Sequence, residues 1–213
     1  MLVAAEMSVE TAVAKIGFRV TGHSKTGIIV YLSRPAKHTP ESILSAALDV
    51  FHLQGVGVSM ADIASAASVS NGTLFNYFAT KQDLLDALYV WVKSDLATAV
   101  GKIDQELSIC EQMHLVWNKW LEWAFCRCDA HAVMNLLHQA GLASEAARAK
   151  GRELIAAPMQ VLGTAYASGV LVDLPLNHLV SLIEHHLDQA VASDLNRRER
   201  DVAFQVLWNG ITK

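Results

Sequence analysis

The stretch from Ser59 to Leu85, S-M-A-D-I-A-S-A-A-S-V-S-N-G-T-L-F-N-Y-F-A-T-K-Q-D-L-L, constrains the fold most strongly because it opens three helices in succession. Ser59 with Asp62, and Thr80 with Asp83, follow the hydroxyl-x-x-acid pattern. In that pattern each side chain bonds the other residue's backbone amide and satisfies donors left over at a helix N-terminus. Between them Ser70 can cap a very short helix, Asn71 to Phe78, of mixed polar and aromatic character. Two helices joined by a tight turn, the second short and presenting Gly, Thr, Asn and Tyr, make a helix-turn-helix pattern suited to reading DNA.

The segments around this stretch complete an all-α chain. Thr39-Pro40-Glu41 combines a capping hydroxyl, a proline at the first helical position and an acid in the first turn. Ile43, Ala47 and Phe51, with Leu44 and Leu48 beside them, then form a buried stripe that Gly55 and Gly57 end. Leu74, Phe75 and Phe78 are expected to face the first two helices. Thr80 starts a rod reaching past Ala99, with Leu84, Leu88 and Val92 on one stripe and Leu85, Tyr89 and Leu96 beside it. Five further helices follow: Leu107 to Cys128, His131 to Ala140, Ser144 to Ser168, Leu176 to Leu195, and one capped by Asn196 that ends near Gly210. Pro158 removes a backbone donor and should kink the third of these.

Composition narrows the setting. The chain has 213 residues, 52% of them hydrophobic and 18% charged, enough for a sizeable core with apolar surface to spare. Glu6 and Glu10 interrupt the N-terminal apolar residues, so no secretory signal is read there. Cys110, Cys126 and Cys128 form no disulfide framework, and a reducing, cytoplasmic location is expected. The uncharged run Leu154 to Val172 holds a proline, two glycines and several polar groups, which favours a buried helix and no membrane span. Charge is uneven: residues 1–38 carry net +3, residues 39–90 net −4, and the remainder net −3. A negative DNA-reading segment is unusual, because neutralising phosphates supplies much of the affinity. Residues 1–38 lack a helical period and are read as a flexible or loosely packed arm. That arm is either structurally inert or a basic strap for the DNA backbone or minor groove.

The run V-S-N-G-T-L-F-N-Y-F-A-T-K-Q-D-L-L, with I-L-x-A-A-L-x-V-F upstream and D-I-A-x-A-A-x-V-S between, resembles the N-terminal domain of the tetracycline-repressor (TetR) family over about residues 39–90. The resemblance implies an N-terminal three-helix helix-turn-helix domain (39–86), linked by a long helix to a C-terminal helical ligand-binding and dimerisation domain (87–213). It places Asn71, Gly72, Thr73, Asn76 and Tyr77 in the major groove. Lys81 would meet a phosphate, as would Thr39 and Ser59 through hydroxyls and helix amides. Two departures stand out. Ser68 occupies a turn position where the family commonly has glycine, and the usual scatter of Arg and Lys around the first helix is missing.

Beyond the head, Trp117, Trp120, Leu121 and Ala124 share one helix face, with His114 and Trp123 nearby. That face is either core or the wall of an effector pocket completed by Met134, His138, Met159 and Tyr166. A mostly apolar pocket of that kind suits an aromatic or lipophilic small molecule. Leu176, Leu179, Val180, Ile183, Leu187 and Val191, with Phe204, Leu207 and Trp208, are candidates for a homodimer interface. A dimer would meet a palindromic DNA operator. His185 with His186, and Cys126 with Cys128, lack zinc-site spacing, and no cofactor or catalytic set is read. The functional expectation is a sequence-specific transcriptional regulator, a repressor released from its operator by a small-molecule effector. The alternatives are an all-helical ligand-binding protein or enzyme with a degenerate reading head, and a dimeric protein that captures another regulator.

Overall fold

The computed structural model describes residues 23–24, 27–28 and 38–213. The chain divides into two compact units, Met1–Ser42 and Ile43–Lys213. In the first, His23–Ser24 and Gly27–Ile28 pair antiparallel, with His23 opposite Ile28 and Ser24 opposite Gly27. The rest of the proposed arm lies outside the described residues. Thr39 and Ser42 cap one another: the Ser42 amide donates to Thr39 Oγ1 at 3.2 Å and the Thr39 amide to Ser42 Oγ at 3.0 Å.

Ten helices are described. The head comprises α1 (Pro40–Gln54), α2 (Met60–Ala66) and α3 (Asn71–Tyr77). Then come α4 (Lys81–Val100), α5 (Ile109–Cys126), α6 (Cys128–Gln139) and α7 (Glu145–Leu154). The chain closes with α8 (Ala156–Ala167), α9 (Leu176–Ala192) and α10 (Arg197–Ile211). The boundaries follow from local chemistry. Capping boxes open α2 at Ser59/Asp62, α4 at Thr80/Asp83, α5 at Ser108/Glu111 and α10 at Asn196/Glu199. The α2–α3 turn is a Schellman closure in which the Ser68 amide donates to Ser65 and the Val69 amide to Ala64. Ser68 adopts the left-handed conformation it requires, at φ 54°. Gly101, at φ 63°, stops α4.

Two boundaries differ from the sequence expectation. The helix expected over Ser144 to Ser168 is two helices, broken at Ile155 and not at Pro158. The proline ring would crowd the carbonyl four residues back, at Leu154. The break therefore falls just after Leu154, and Pro158 sits in the first turn of α8, where its missing amide costs nothing. The α5–α6 corner falls at Arg127, earlier than expected. Its Nη1 donates to Asp95 Oδ2 on α4 at 2.8 Å, alongside Trp123 Nε1 at 3.0 Å.

The stripes read from sequence on α1 and α4 are buried and belong to one hydrophobic cluster running from Ile43 to Ile211. In the body α4 packs most extensively on α7 and also contacts α5 and α6, while α5 carries α8, α9 and α10. Among the described residues no helix is long and apolar enough to cross a membrane.

Candidate nucleic-acid interface and ligand cavity

Helix α3 is seven residues long and is held at its start by Ser70, whose Oγ accepts from the Thr73 amide at 3.1 Å. Leu74 and the following Phe78 fill its inward face. Asn71, Gly72, Asn76 and Tyr77 are exposed and Thr73 is half-buried. Phe75, expected inward, is 47% exposed. On so short a helix Leu74 and Phe78, four apart, already occupy the one inward stripe, and Phe75 is turned about 100° from Leu74. It stands over Asn71 on the solvent face.

The electrostatics of the head are unusual for a DNA reader. Lys81 directs Nζ at the Val58 carbonyl, so its ammonium helps fix the entry to α2. Ser59 is engaged in its capping box: Oγ donates to Asp62 Oδ2 at 2.6 Å and accepts from the Asp62 amide at 3.2 Å. The Ser59 hydroxyl and amide hold the Asp62 carboxyl below its ordinary pKa.

The start of α4 is gripped by the body. Asp86 accepts from the Ser144 amide at 2.8 Å and from its hydroxyl at 2.5 Å. Gln82 Nε2 bridges Asp86 and the Leu142 carbonyl, both at 2.8 Å. Partial burial pushes the Asp86 pKa up, but the Ser144 and Gln82 hydrogen bonds prevail and hold it below the ordinary value. The 3-10 turn at Gly55–Gly57 also touches α6.

Farther along α4 lies a cavity of about 510 Å³ bounded by α4 to α9. Trp120, Met134, Ile155, Met159, Val180 and Leu187 give it apolar walls. Its Lys, Arg, Asp and Glu side chains are Lys93 on α4, Arg148 and Arg152 on α7, and Glu184 and Asp188 on α9, with His131, Asn135 and His138 of α6 among its other polar groups. Asp188 is committed: His131 Nε2 lies 3.1 Å away and Asn135 Nδ2 donates at 2.8 Å. A second, smaller space of about 60 Å³ lies beside Trp117, Phe204 and Pro158.

Of the expected pocket residues, Trp120, Met134, His138 and Met159 line the large cavity and Trp117 the small one. His114 instead bonds Asp201 at 3.0 Å and packs on Phe204. Leu121 and Ala124 are fully buried core, and Tyr166 is 38% exposed and lines neither space. The charged lining was missed. Its signal in the sequence was Lys93, four residues after Tyr89 on an otherwise apolar stripe.

The expected interface residues also divide. Leu179, Leu187, Phe204 and Leu207 are buried within the protomer, so they serve its own core and not a partner's. Leu176 and Val180 line the large cavity and Ile183 the small one. Val191 is half-buried, as is Trp208, which stacks on Phe204. The apolar groups that α9 and α10 leave exposed are Leu182, Val202 and Val206. Among the described residues no cluster of three or more His, Cys, Asp or Glu could hold a metal. Burial and the neighbouring Glu111 raise the Cys110 thiol pKa, the opposite of redox activation.

These features define an all-helical protein in which a helix-turn-helix head shares its linking helix with a ligand-sized cavity. Residues 43–88 match the family of bacterial regulatory proteins described as tetR. The match lies over the helix-turn-helix head, and these residues form a TetR-family DNA-binding head. It is 33% identical over 84 residues to the HTH-type transcriptional regulator LuxR of Vibrio harveyi, spanning 38% of this chain and 41% of that relative's length. The fold is that of a tetR family transcription regulator from Shewanella: TM-score 0.72 at 24% identity, covering 82% of this chain and 98% of the other. It is also that of a TetR family regulator from Marinobacter aquaeolei: TM-score 0.69 at 18% identity, covering 82% and 95%.

Proposed function

We propose that the protein is a transcriptional regulator that binds operator DNA as a homodimer and is released when a small molecule fills the cavity. The observation that carries this reading is the continuity of α4. One end holds the head through Lys81 and the Val58 carbonyl, and the same helix supplies Tyr89 and Lys93 to the cavity wall. Twelve residues separate Lys81 from Lys93, about 18 Å along the axis. A tilt of α4 at the cavity therefore displaces the reading helix. The Asp86–Ser144 grip ties the two movements together, since Ser144 opens α7 and α7 carries Arg148 and Arg152 into the same cavity.

In this account Asn71, Gly72, Thr73, Asn76 and Tyr77 face the bases and phosphates of the major groove. Phe75, exposed beside them, joins that surface and suits a thymine methyl. Lys81 is turned to a carbonyl, and the Thr39 and Ser59 amides are closed within their own caps. The Thr39 hydroxyl and the first-turn amides that follow Ser59 therefore carry much of the phosphate contact, and the basic residues of 1–38 supply the rest. Two copies are needed, because one short helix reads only half a site. Leu182, Val202 and Val206 are the apolar groups that α9 and α10 offer a second copy. A coupling of about 1–3 kcal/mol between cavity and head would change operator affinity roughly 5- to 150-fold.

The test is retention of DNA fragments from around the protein's own gene, with an effector-class probe added. Specific retention that the probe weakens is the expected result. Retention that no cavity occupant alters would remove the release mechanism while leaving DNA binding in place.

A further inference from the structure

We infer that the cavity takes an acid: a molecule with an apolar body whose carboxylate is held by Lys93 Nζ. This rests on reading the cavity as the effector site and names the chemistry of what enters it.

Lys93 is 7% exposed and lines the cavity from the middle of α4. Among the described residues its ammonium makes no hydrogen bond and no ion pair within 4 Å. What surrounds it is aromatic: Nζ lies 5.8 Å from the Tyr89 ring centroid and 5.7 Å from that of Trp120. Ring faces attract a cation but accept none of the three N–H bonds an ammonium offers. A largely buried ammonium without a protein acceptor is costly, and an anionic occupant bonded to it offsets that cost. Burial lowers the Lys93 pKa, opposed by the negative Glu184 across the cavity.

The neighbouring helix points the same way. Arg148, Gly151 and Arg152 are spaced i, i+3, i+4 on one face of α7, which meets Tyr89 and Lys93 on α4. Gly151 makes this approach possible: a Cβ there would lie 2.8 Å from Tyr89 Cε1 and 3.3 Å from Lys93 Cγ. The close contact puts Arg148 and Arg152 on the lining of the same cavity as Lys93. Arg148 Nε is buried without a hydrogen bond, 3.4 Å from Glu145 Oε2, and Arg152 bonds the same carboxylate at 2.7 Å. On the acidic side Asp188 is engaged by His131 and Asn135, leaving Glu184 as the carboxylate facing Lys93. The cationic groups prevail at the α4–α7 wall. An apolar body would lie along Met134, Met159, Val180 and Leu187.

The experiment titrates the intact protein by calorimetry with decanoate and 2-naphthoate, each against its alcohol, 1-decanol and 2-naphthalenemethanol, and with decyltrimethylammonium. The expected result is that at least one acid binds about tenfold or more tightly than its alcohol. Lys93→Met removes that preference while keeping the alcohol's affinity and the folded state, and Lys93→Arg retains part of it. The inference is overturned if neither acid binds at millimolar concentration, if the alcohols or the quaternary amine bind as well as the acids, or if Lys93→Met keeps the preference. Val180→Trp, which fills the cavity, should abolish acid binding; unchanged binding would place the acid elsewhere and also sink this assignment. Acid binding that is selective and Lys93-dependent but leaves DNA affinity unaltered would uphold the chemistry and contradict the regulatory reading of the cavity.

Discussion

The reading head and the helical body are specified by different kinds of interaction. In the head, Ser59 with Asp62, Ser70 with Thr73, and Thr80 with Asp83 each act over three residues. The body is joined over long separations in sequence: Asp95 with Arg127, Asn135 with Asp188, His114 with Asp201, and Trp117 Nε1 with the Arg200 carbonyl. The head keeps its polar groups in short, solvent-exposed loops of hydrogen bonds. The body buries most of Lys93 without a protein acceptor and turns it to a cavity. One region is built to hold a fixed surface against DNA, and the other leaves an electrostatic demand that an occupant can meet.

Substitutions can break or sharpen this contrast, and the largest effect is expected in the body core. Leu121→Ala empties a fully buried site on α5 and should destabilise the protein by about 2–5 kcal/mol, read as a lower denaturant midpoint. A loss below 1 kcal/mol would mean that α5 is not the post around which α8, α9 and α10 pack. Lys93→Met should act in the opposite sense and stabilise the unliganded protein by about 1–3 kcal/mol, since it removes a buried charge without an acceptor. The sign with pH follows from the lowered folded pKa. Between that value and the ordinary lysine value the unfolded chain binds more protons, so wild-type stability rises with pH and the advantage of Lys93→Met narrows. Thermal melts at a series of alkaline pH values would show this, and a widening gap would contradict it.

Smaller effects belong to the head. Ser59→Ala removes the cap of α2 and one half of its box, with an expected cost of about 1 kcal/mol. Hydrogen exchange should place that loss in α2 and α3, whereas loss throughout the body would show that the head is not locally specified. Ser68→Gly relieves a left-handed conformation at φ 54° and should stabilise by about 0.5–1 kcal/mol, visible as a modest rise in Tm.

The same contrast governs what was legible in the sequence. Ser59, Ser70, Thr80 and Asn196 announce their helices because a cap needs only its own first turn, and the strained turn at Ser68 is equally local. The buried stripe of α4 was readable from period alone. Legibility failed where a side chain's surroundings depend on which helix crosses above it. Phe75 follows the apolar pattern yet faces solvent, because α3 is too short to bury two stripes. Leu121 and Ala124 share a face with Trp120, but α8 and α9 cross so that Trp120 reaches the cavity and the other two do not. Leu179 and Phe204 fit a partner-facing stripe by composition and are consumed by the protomer's own core. The Tyr89–Lys93–Arg148–Arg152 wall depends on Gly151, whose lack of a side chain carries no pattern until α7 is laid against α4.

The central claim is that the exposed face of α3 reads DNA sequence, with the head held in place by α4. The most direct measurement is the affinity of the intact protein for DNA recovered by selection from random duplexes, taken across salt concentrations and repeated with Asn76→Ala. Binding to the selected sequence should exceed that to scrambled DNA and fall as salt rises. Asn76→Ala should lose about 1–3 kcal/mol of that specific binding while remaining folded. Selection that enriches no sequence, or an Asn76→Ala protein that binds the enriched one as tightly as wild type, would contradict the account.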